Sequence, residues 1–262
     1  MKYFRFACVF VLLGLLASCY EVNEEIVINA DGSGTYESKM DMGQLLELMQ
    51  TFAGEEELTK EGMDKAIDTT FNMKDMMDSA KDLTADQKAL LATGTMKMQM
   101  NIKEKLFKMD MHFPFKSQDN LQKLMAGQGN NGAGMTDIFK QLFGGDKKQE
   151  DTTQIMDVAK EPDMQDISNI YDVTVKNGLL SKKINTEKYK ALTARPEMAQ
   201  IKQLSSSGME ILYNTTIKLP RPVKKSDNPL IKLSEDKKTV TMHYNLLELL
   251  ETPEKFSYTI EY

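Results

Sequence analysis

Residues 95–115 read TMKMQMNIKEKLFKMDMHFPF. Apolar side chains occupy every second position in both halves of this stretch, and those that define the pattern are Met96, Met98, Met100, Phe107, Met109, Met111 and Phe113. Lysines, Asp110 and His112 lie between them. Because successive side chains of a strand point to opposite faces, this alternation predicts two antiparallel strands with one apolar face and one solvated face.

Three interpretations of this methionine-rich face are open. We favour core packing, because methionine fills irregular gaps between other apolar side chains. The second interpretation is an apolar ligand face formed by the same residues. The third is a Cu(I) site, because thioether sulfur is a soft ligand. His112 has the opposite parity to Met111, so its imidazole should point away from the sulfur atoms.

Hairpin patterns recur along the chain and extend the predicted sheet. Turn sequences at Asp31-Gly32, Asn177-Gly178 and Glu235-Asp236 each separate two strand-like segments. Helical patterns lie between the hairpins, and Thr84 is a candidate N-cap. The closing residues 256–262, FSYTIEY, alternate once more. We therefore predict an α+β fold with a mainly antiparallel sheet built of hairpins and helices packed on one face.

The predicted sheet is shared by residues 21–116 and 166–262. The amino-acid composition changes between these two parts, because the segments AGQGNNGAG and GGDKKQEDTTQ are polar and contain several glycines. We interpret residues 117–165 or so as a flexible insertion within a single domain that spans 21–262.

The N-terminus has the layout of a secretory signal peptide. Lys2 and Arg5 precede an uncharged run, residues 6–16, that is too short to span a bilayer. The sequence Leu16-Ala17-Ser18-Cys19 then resembles the lipobox of bacterial lipoproteins. The resemblance implies cleavage before Cys19, a diacylglyceryl thioether on its sulfur and acylation of the new amino group. Residues 1–18 are then the signal peptide, and 19–20 the lipid anchor.

The residues after Cys19 bear on localisation. An aspartate directly after the lipidated cysteine would resemble an inner-membrane retention signal. This chain has Tyr20 at that position, so we expect it in the outer membrane if the cell is Gram-negative. Glu21, Glu24 and Glu25 resemble an acidic tag of surface-exposed lipoproteins, and the alternative is a solvated tether. The signal-peptide sequence and the content of methionine, lysine and asparagine resemble those of lipoproteins from Bacteroidetes-type bacteria.

The charge of the chain argues against two classes of partner. Its formal net charge is −6, so it lacks the basic character that nucleic-acid phosphates demand. It also lacks the polybasic stretch that draws proteins onto anionic lipid. We expect membrane contact through the lipid on Cys19 and no binding to nucleic acid; a protein or lipid partner is left open.

No catalytic constellation is visible. The chain contains two histidines, His112 and His243, and both lie at polar positions of strand patterns. Neither a P-loop, nor a GxGxxG fingerprint, nor a G-x-S-x-G elbow occurs. We therefore expect no cofactor, no resident metal and no enzymatic activity, while an enzyme without a recognisable motif stays an alternative.

Three stretches together resemble the LppM-type domain of bacterial envelope lipoproteins. They are EIVINADGSGTYE after the anchor, IKLPRPVKKSDNP in the last quarter and KKTVTMHYNLLELLETPEKFSYTIEY at the end. The resemblance implies an α+β envelope domain without known catalysis, and it supplies no ligand residues. The functional hypothesis is a lipid-anchored, non-enzymatic envelope protein that binds an apolar ligand or a protein partner, with periplasmic copper handling as an alternative.

Overall fold

The 95–115 stretch forms the antiparallel hairpin that its alternation predicts. Strand β4 (Thr95–Asn101) pairs with β5 (Leu106–Phe115), and Met98 lies opposite Met109. The connecting turn closes through a hydrogen bond of 3.1 Å from the Lys105 N–H to the Ile102 carbonyl, and Lys105 adopts a positive φ of 53°. This confirms both the strands and the register of their apolar face.

The hairpin belongs to a sheet of eight strands in this computed structural model, which describes residues 20–44, 46–47, 50, 66–77, 84–126, 170–196, 198 and 210–262. Around the hairpin the strands lie in the spatial order β10 (Lys232–Leu233), β11 (Thr239–Asn245), β8 (Ile211–Lys218), β1 (Tyr20–Ile28), β2 (Gly34–Asp41), β5, β4 and β3 (Ile67–Asn72). A smaller sheet has the order β6 (Tyr171–Lys176), β7 (Leu179–Ile184), β12 (Tyr258–Glu261) and β9 (Lys225–Ser226). The α+β class with mainly antiparallel sheet is confirmed.

One strand pair near the centre of the larger sheet is parallel. β1 lies beside β8 with Glu24 opposite Thr215, whereas every other strand pair recorded among the described residues is antiparallel. This pairing joins the N-terminal and C-terminal parts of the chain, as the sequence analysis expects of a shared sheet. The parallel orientation is a finding, since hairpin signals predict only antiparallel neighbours.

The two faces of the larger sheet differ as the alternation predicts. On the inner face Met98 is 0% exposed and Met109 is 1% exposed. The outer face carries ion pairs such as Lys108–Asp41 at 3.3 Å and Lys218–Glu25 at 2.9 Å. Such exposed ion pairs contribute little to the free energy of unfolding. Burial of the apolar side chains on the inner face therefore stabilises the sheet more than these pairs do.

In the described part of the chain, helices cover part of the inner face. They are α1 (Met73–Met77), α2 (Ala85–Leu91), α3 (Gln118–Met125), α4 (Thr186–Thr193) and α5 (Leu246–Glu251), and a 3-10 turn spans Pro253–Phe256. The smaller sheet also packs into the core, because Tyr258, Ile260 and Tyr262 belong to the same buried cluster as Met98. The prediction of helices on one face of the sheet did not include this second sheet. Alternation at residues 256–262 shows that one face of the strand is buried, but not against which partner.

The start of the predicted insertion is also corrected. Residues 118–125 form helix α3, whose Leu121 is fully buried and whose Leu124 and Met125 are buried with it. Ser117 caps this helix by accepting a hydrogen bond of 3.2 Å from the Asn120 N–H. Residues 117–125 therefore belong to the core, because their apolar side chains recur at helical spacing. Residues 127–165 of the predicted insertion lie outside the described residues.

Two of the predicted turns need glycine. Gly32 has a φ of 86° in the β1–β2 turn, and Gly178 has a φ of 83° in the β6–β7 turn. Asp31 completes the first turn, because its carboxylate accepts hydrogen bonds from the Ser33 N–H and hydroxyl at 3.0 and 2.7 Å. These bonds lower the pKa of Asp31.

Candidate functional site

The seven residues of the predicted apolar ligand face all lie in the core. Their exposed fractions run from 0% for Met96 and Met98 to 7% for Phe107, and the set is Met96, Met98, Met100, Phe107, Met109, Met111 and Phe113. They pack against helix residues such as Leu90, Leu91 and Leu121 in one cluster. This burial favours core packing over an open groove.

The two histidines lie apart from the methionine cluster. His112 lies on the outer face, where its Nδ1 is 3.1 Å from Glu37 Oε1. The Nδ1 of His243 is 2.6 Å from Oδ1 of Asn214, which lies directly opposite on the neighbouring strand β8. Imidazole therefore does not join the thioether sulfurs, as the parity of His112 predicts. Within the described residues, no group of three or more histidine, cysteine or acidic side chains is placed to hold a metal ion.

The predicted lipidation site, Cys19, lies outside the described residues, as does the signal peptide. The neighbouring residue Tyr20 already belongs to β1, and its N–H donates to the Glu210 carbonyl at 3.0 Å. In the described part of the chain, no helix has the length and apolar character needed to cross a membrane.

A cavity that sequence patterns did not reveal lies between α3, β6 and α4. Its volume is about 510 Å³. The deepest lining residues are Ile170, Tyr171 and Leu192, which are buried and belong to a second apolar cluster. Ala126 of α3 and Ala191 of α4 line the walls. The buried side of the cavity is thus apolar, whereas Gln122, Lys123, Asp172, Lys188 and Arg195 make the rest of its lining mainly polar.

Helix α3 is held against the free edge of the smaller sheet. β6 is an edge strand, and its Val175 N–H donates to Gln122 Oε1 at 3.0 Å. The Gln122 amide therefore takes the place of a neighbouring strand at this position. This contact sets one wall of the cavity.

Helix α4 is positioned by a cap at its N-terminus and by a contact from its middle. Asn185 caps its N-terminus by accepting from the Glu187 and Lys188 N–H groups, each at 3.1 Å. Further along the helix, the Tyr189 hydroxyl donates to the Leu250 carbonyl at 2.6 Å. These contacts fix the second wall relative to β6 and α5.

Charged side chains ring the mouth of the cavity, and several are paired. Lys188 Nζ lies 3.1 Å from Asp172 Oδ1, and Lys123 Nζ lies 2.9 Å from Asp119 Oδ2. The hydrogen bond from Lys188, followed by one from Asn185, lowers the pKa of Asp172. Arg195 also lines the cavity, so the cationic side chains outnumber the one lining carboxylate, and the cavity suits a ligand that has an apolar part and a polar end.

Tyr171 is the one hydroxyl among the cavity-lining residues. Burial raises the pKa of this hydroxyl far above its ordinary value, and the Glu24 carboxylate adds to the shift. Lys182 Nζ lies 4.4 Å from the ring centroid, a cation–π distance. The hydroxyl therefore stays protonated across the physiological range.

The cavity residues gave no usable signal in the sequence. Gln122, Tyr171 and Lys188 come from separate segments, and no motif links them. The small residues Ala126 and Ala191 stand on unremarkable helices. The cavity arises because α3 and α4 both approach β6, which is a tertiary property.

Comparison with known proteins yields little. No family model matches the chain, and no curated protein matches it. Among solved structures, the NMR structure of the folded domain of LppM from Mycobacterium tuberculosis is similar over 93% of this chain and 90% of that domain, with 8% identity and a TM-score of 0.35. This neighbour has the name of the domain type that the sequence resembles, and at this TM-score we base no conclusion on it. The lipobox and the bacterial group stay predictions.

Proposed function

We propose that this chain is a lipid-anchored lipoprotein of the bacterial cell envelope that acts as a non-enzymatic binding module. It holds the apolar part of a ligand in the cavity between α3, β6 and α4. The observation that carries the proposal is the cavity of about 510 Å³ with a buried apolar floor. Ligand sites in proteins are mostly apolar concavities of roughly 300–1,000 Å³ with a few polar groups at fixed positions.

The anchor part of the proposal rests on the lipobox-like sequence Leu16-Ala17-Ser18-Cys19. One acyl chain alone holds a protein only marginally, whereas two or three hold it firmly. With Tyr20 already in β1, an anchored chain has almost no spacer between lipid and sheet. The domain would then lie directly against the bilayer surface, and the residue at position 20 favours the outer membrane.

The ligand part of the proposal rests on the chemistry of the lining. Ile170, Tyr171 and Leu192 provide a buried floor, and charged residues stay at the rim. This arrangement suits an amphiphile whose tail enters and whose polar end stays near water. Lipids around the anchor are the nearest source of such molecules.

Filling the cavity tests the proposal. Ala191→Trp should place an indole in the opening, whereas Ala194→Trp lies on the same helix end, is exposed and does not line the cavity. We expect wild type and Ala194→Trp to bind a fluorescent fatty acid saturably, and Ala191→Trp to lose at least tenfold in affinity. Native mass spectrometry should detect copurified lipid in the first two proteins.

The opposite outcomes are equally specific. Saturable binding that is unchanged in Ala191→Trp would place the ligand elsewhere. Absence of binding and of copurified lipid in the wild-type protein would refute the ligand proposal and leave the anchor proposal to its own test.

A further inference from the structure

The cavity between α3, β6 and α4 is positively charged at its mouth, although the chain as a whole is acidic. The formal net charge of the chain is −6. Lys123, Lys188 and Arg195 nevertheless line the cavity, and Asp172 is the one acidic residue among the described residues that do so. A concave surface that carries an excess of one charge raises the local concentration of ions of the opposite sign. The mouth therefore favours an anion.

Two of the three cations lie on the same side of α4 as the apolar floor. The residues of this segment that line the cavity have the i, i+3, i+4, i+7 spacing of one helix face, and they are Lys188, Ala191, Leu192 and Arg195. The Arg195 N–H donates to the Leu192 carbonyl at 3.1 Å, so the chain still turns where α4 ends. The buried Leu192 is thus flanked by a positive charge on either side along the helix.

The two lysines already form ion pairs, but these pairs are open to solvent. Lys123 pairs with Asp119, whose side chain is 67% exposed, and Lys188 pairs with Asp172, whose side chain is 62% exposed. Exposed ion pairs contribute little free energy, so each lysine can turn to a bound anion at small cost. Arg195 adds a guanidinium group, which can bind a carboxylate or a phosphate through two parallel hydrogen bonds.

The edge of β6 adds backbone groups to the same cavity. The Val175 N–H points away from β7, because it donates to Gln122 on α3 at 3.0 Å. Val173 is two residues earlier in the same uninterrupted register, so its N–H and carbonyl point to that side as well. Val173 lines the cavity. Backbone N–H groups at the edge of a sheet can bind anions, so the Val173 N–H is a further donor beside the three cations.

We propose that the ligand of this cavity is an anionic amphiphile, whose carboxylate or phosphate head lies at the mouth and whose tail packs on Ile170 and Leu192. This inference rests on the proposed function, because it names the class of ligand for the same cavity. A neutral head would forgo the charge-assisted hydrogen bonds from Lys123, Lys188 and Arg195. A cationic head would be repelled by the same side chains.

Octanoate and octan-1-ol test the head group, because they share a tail and only octanoate is ionised at neutral pH. Each displaces the fluorescent fatty acid from the full-length chain, which is kept in one uncharged detergent throughout. We expect octanoate to bind at least about tenfold more tightly than octan-1-ol, which corresponds to about 1.4 kcal/mol. Octyl phosphate compared with octanoate distinguishes a phosphate head from a carboxylate head. Inorganic phosphate has no tail and should not displace the fatty acid.

Two charge-removing variants separate the cavity from the rest of α4. Arg195→Gln removes a positive charge that lines the cavity, whereas Lys190→Gln removes one from an exposed residue that does not line it. Arg195→Gln should weaken octanoate binding at least about fivefold and leave octan-1-ol within about twofold of wild type, since only the anion gains from the charge. Lys190→Gln should leave both within about twofold. Uptake of a competitor by the detergent is the same for every variant, so it does not alter this comparison.

Three outcomes would overturn the inference. They are equal affinity of the wild-type chain for octanoate and octan-1-ol, an unchanged ratio of the two affinities in Arg195→Gln, and displacement by inorganic phosphate that equals displacement by octyl phosphate. The first and third need no variant, so a folding defect in Arg195→Gln does not protect the inference.

Failure of the proposed function has a different signature. If the fluorescent fatty acid does not bind to the wild-type chain, the ligand proposal fails and this inference fails with it. If the fatty acid binds to wild type and is lost from Ala191→Trp while octan-1-ol matches octanoate, the cavity proposal stands and only the anionic head is refuted.

Discussion

Met98→Ala tests whether the methionine-rich face is a closed core. Met98 is 0% exposed and lies between Thr69 of β3 and Met109 of β5. The substitution removes three heavy atoms beyond Cβ. At about 0.8 kcal/mol for each methylene-sized group, the lost transfer free energy is about 2.4 kcal/mol. The unfilled cavity adds to this, so we expect the free energy of unfolding to fall by about 3–4 kcal/mol.

Urea unfolding followed by far-ultraviolet circular dichroism measures this loss. Gln99→Ala is the matched control, because Gln99 is the next residue of β4 and lies on the outer face, where it donates to Asp68 at 3.1 Å. It should cost less than about 1 kcal/mol. Met98→Leu conserves volume and should cost less than about 1.5 kcal/mol. A loss below about 1 kcal/mol for Met98→Ala would show that the face is not tightly packed, and the ligand-face interpretation would return.

Three further predictions concern the anchor, a close backbone contact and pH. Cys19→Ser should abolish incorporation of labelled palmitate and release the chain from the membrane fraction; wild-type protein that is unlabelled and soluble would refute the anchor. Gly34→Ala should lower the free energy of unfolding by more than about 2 kcal/mol in a urea titration, because an added Cβ would lie 1.8 Å from the Val27 carbonyl oxygen; wild-type stability would contradict this contact. The pKa of Asp172 lies below its ordinary value of 3.8, mainly through the hydrogen bond from Lys188, so its carboxylate stabilises the fold above that value and ceases to do so as the pH falls through the lower folded pKa. Below about pH 4, wild type should therefore lose more stability than Asp172→Asn in urea titrations, and parallel losses would argue against the pair.

Local patterns account for much of the fold that the sequence predicts. The β4–β5 hairpin, the Asn177-Gly178 turn and the capped helix at Thr84 each depend on neighbours within a few residues. At Thr84, for example, the hydroxyl accepts from the Gln87 N–H at 3.3 Å, and the Gln87 side chain accepts from the Thr84 N–H at 2.9 Å. Interactions over this short range can be predicted from the types of the residues and their spacing in the sequence.

Contacts between distant parts of the chain could not be predicted from the sequence in this way. The pairing of β1 with β8, the packing of β12 into a second sheet and the cavity beside β6 all depend on which distant surfaces meet. Glu24 is instructive, because the sequence analysis took it for part of an acidic tag or a solvated tether. Its neighbours Glu21 and Glu25 do contact Asn214 and Lys218 on the adjacent strand. The acidic run is thus strand rather than tether, and only the register separates the inward carboxylate from its outward neighbours.

The parallel pair near the centre of the larger sheet has a kinetic consequence. Glu24 and Thr215 are 191 positions apart, so the central contact closes one of the longest loops the chain can form. Contacts of such high sequence separation slow folding, because the entropy of loop closure must be met before they form. During synthesis β1 emerges before β8, and one of its edges stays unpaired until residues 211–218 follow. Exposed strand edges promote aggregation, so we expect the nascent chain to depend on a chaperone, and a chain truncated before residue 211 to aggregate.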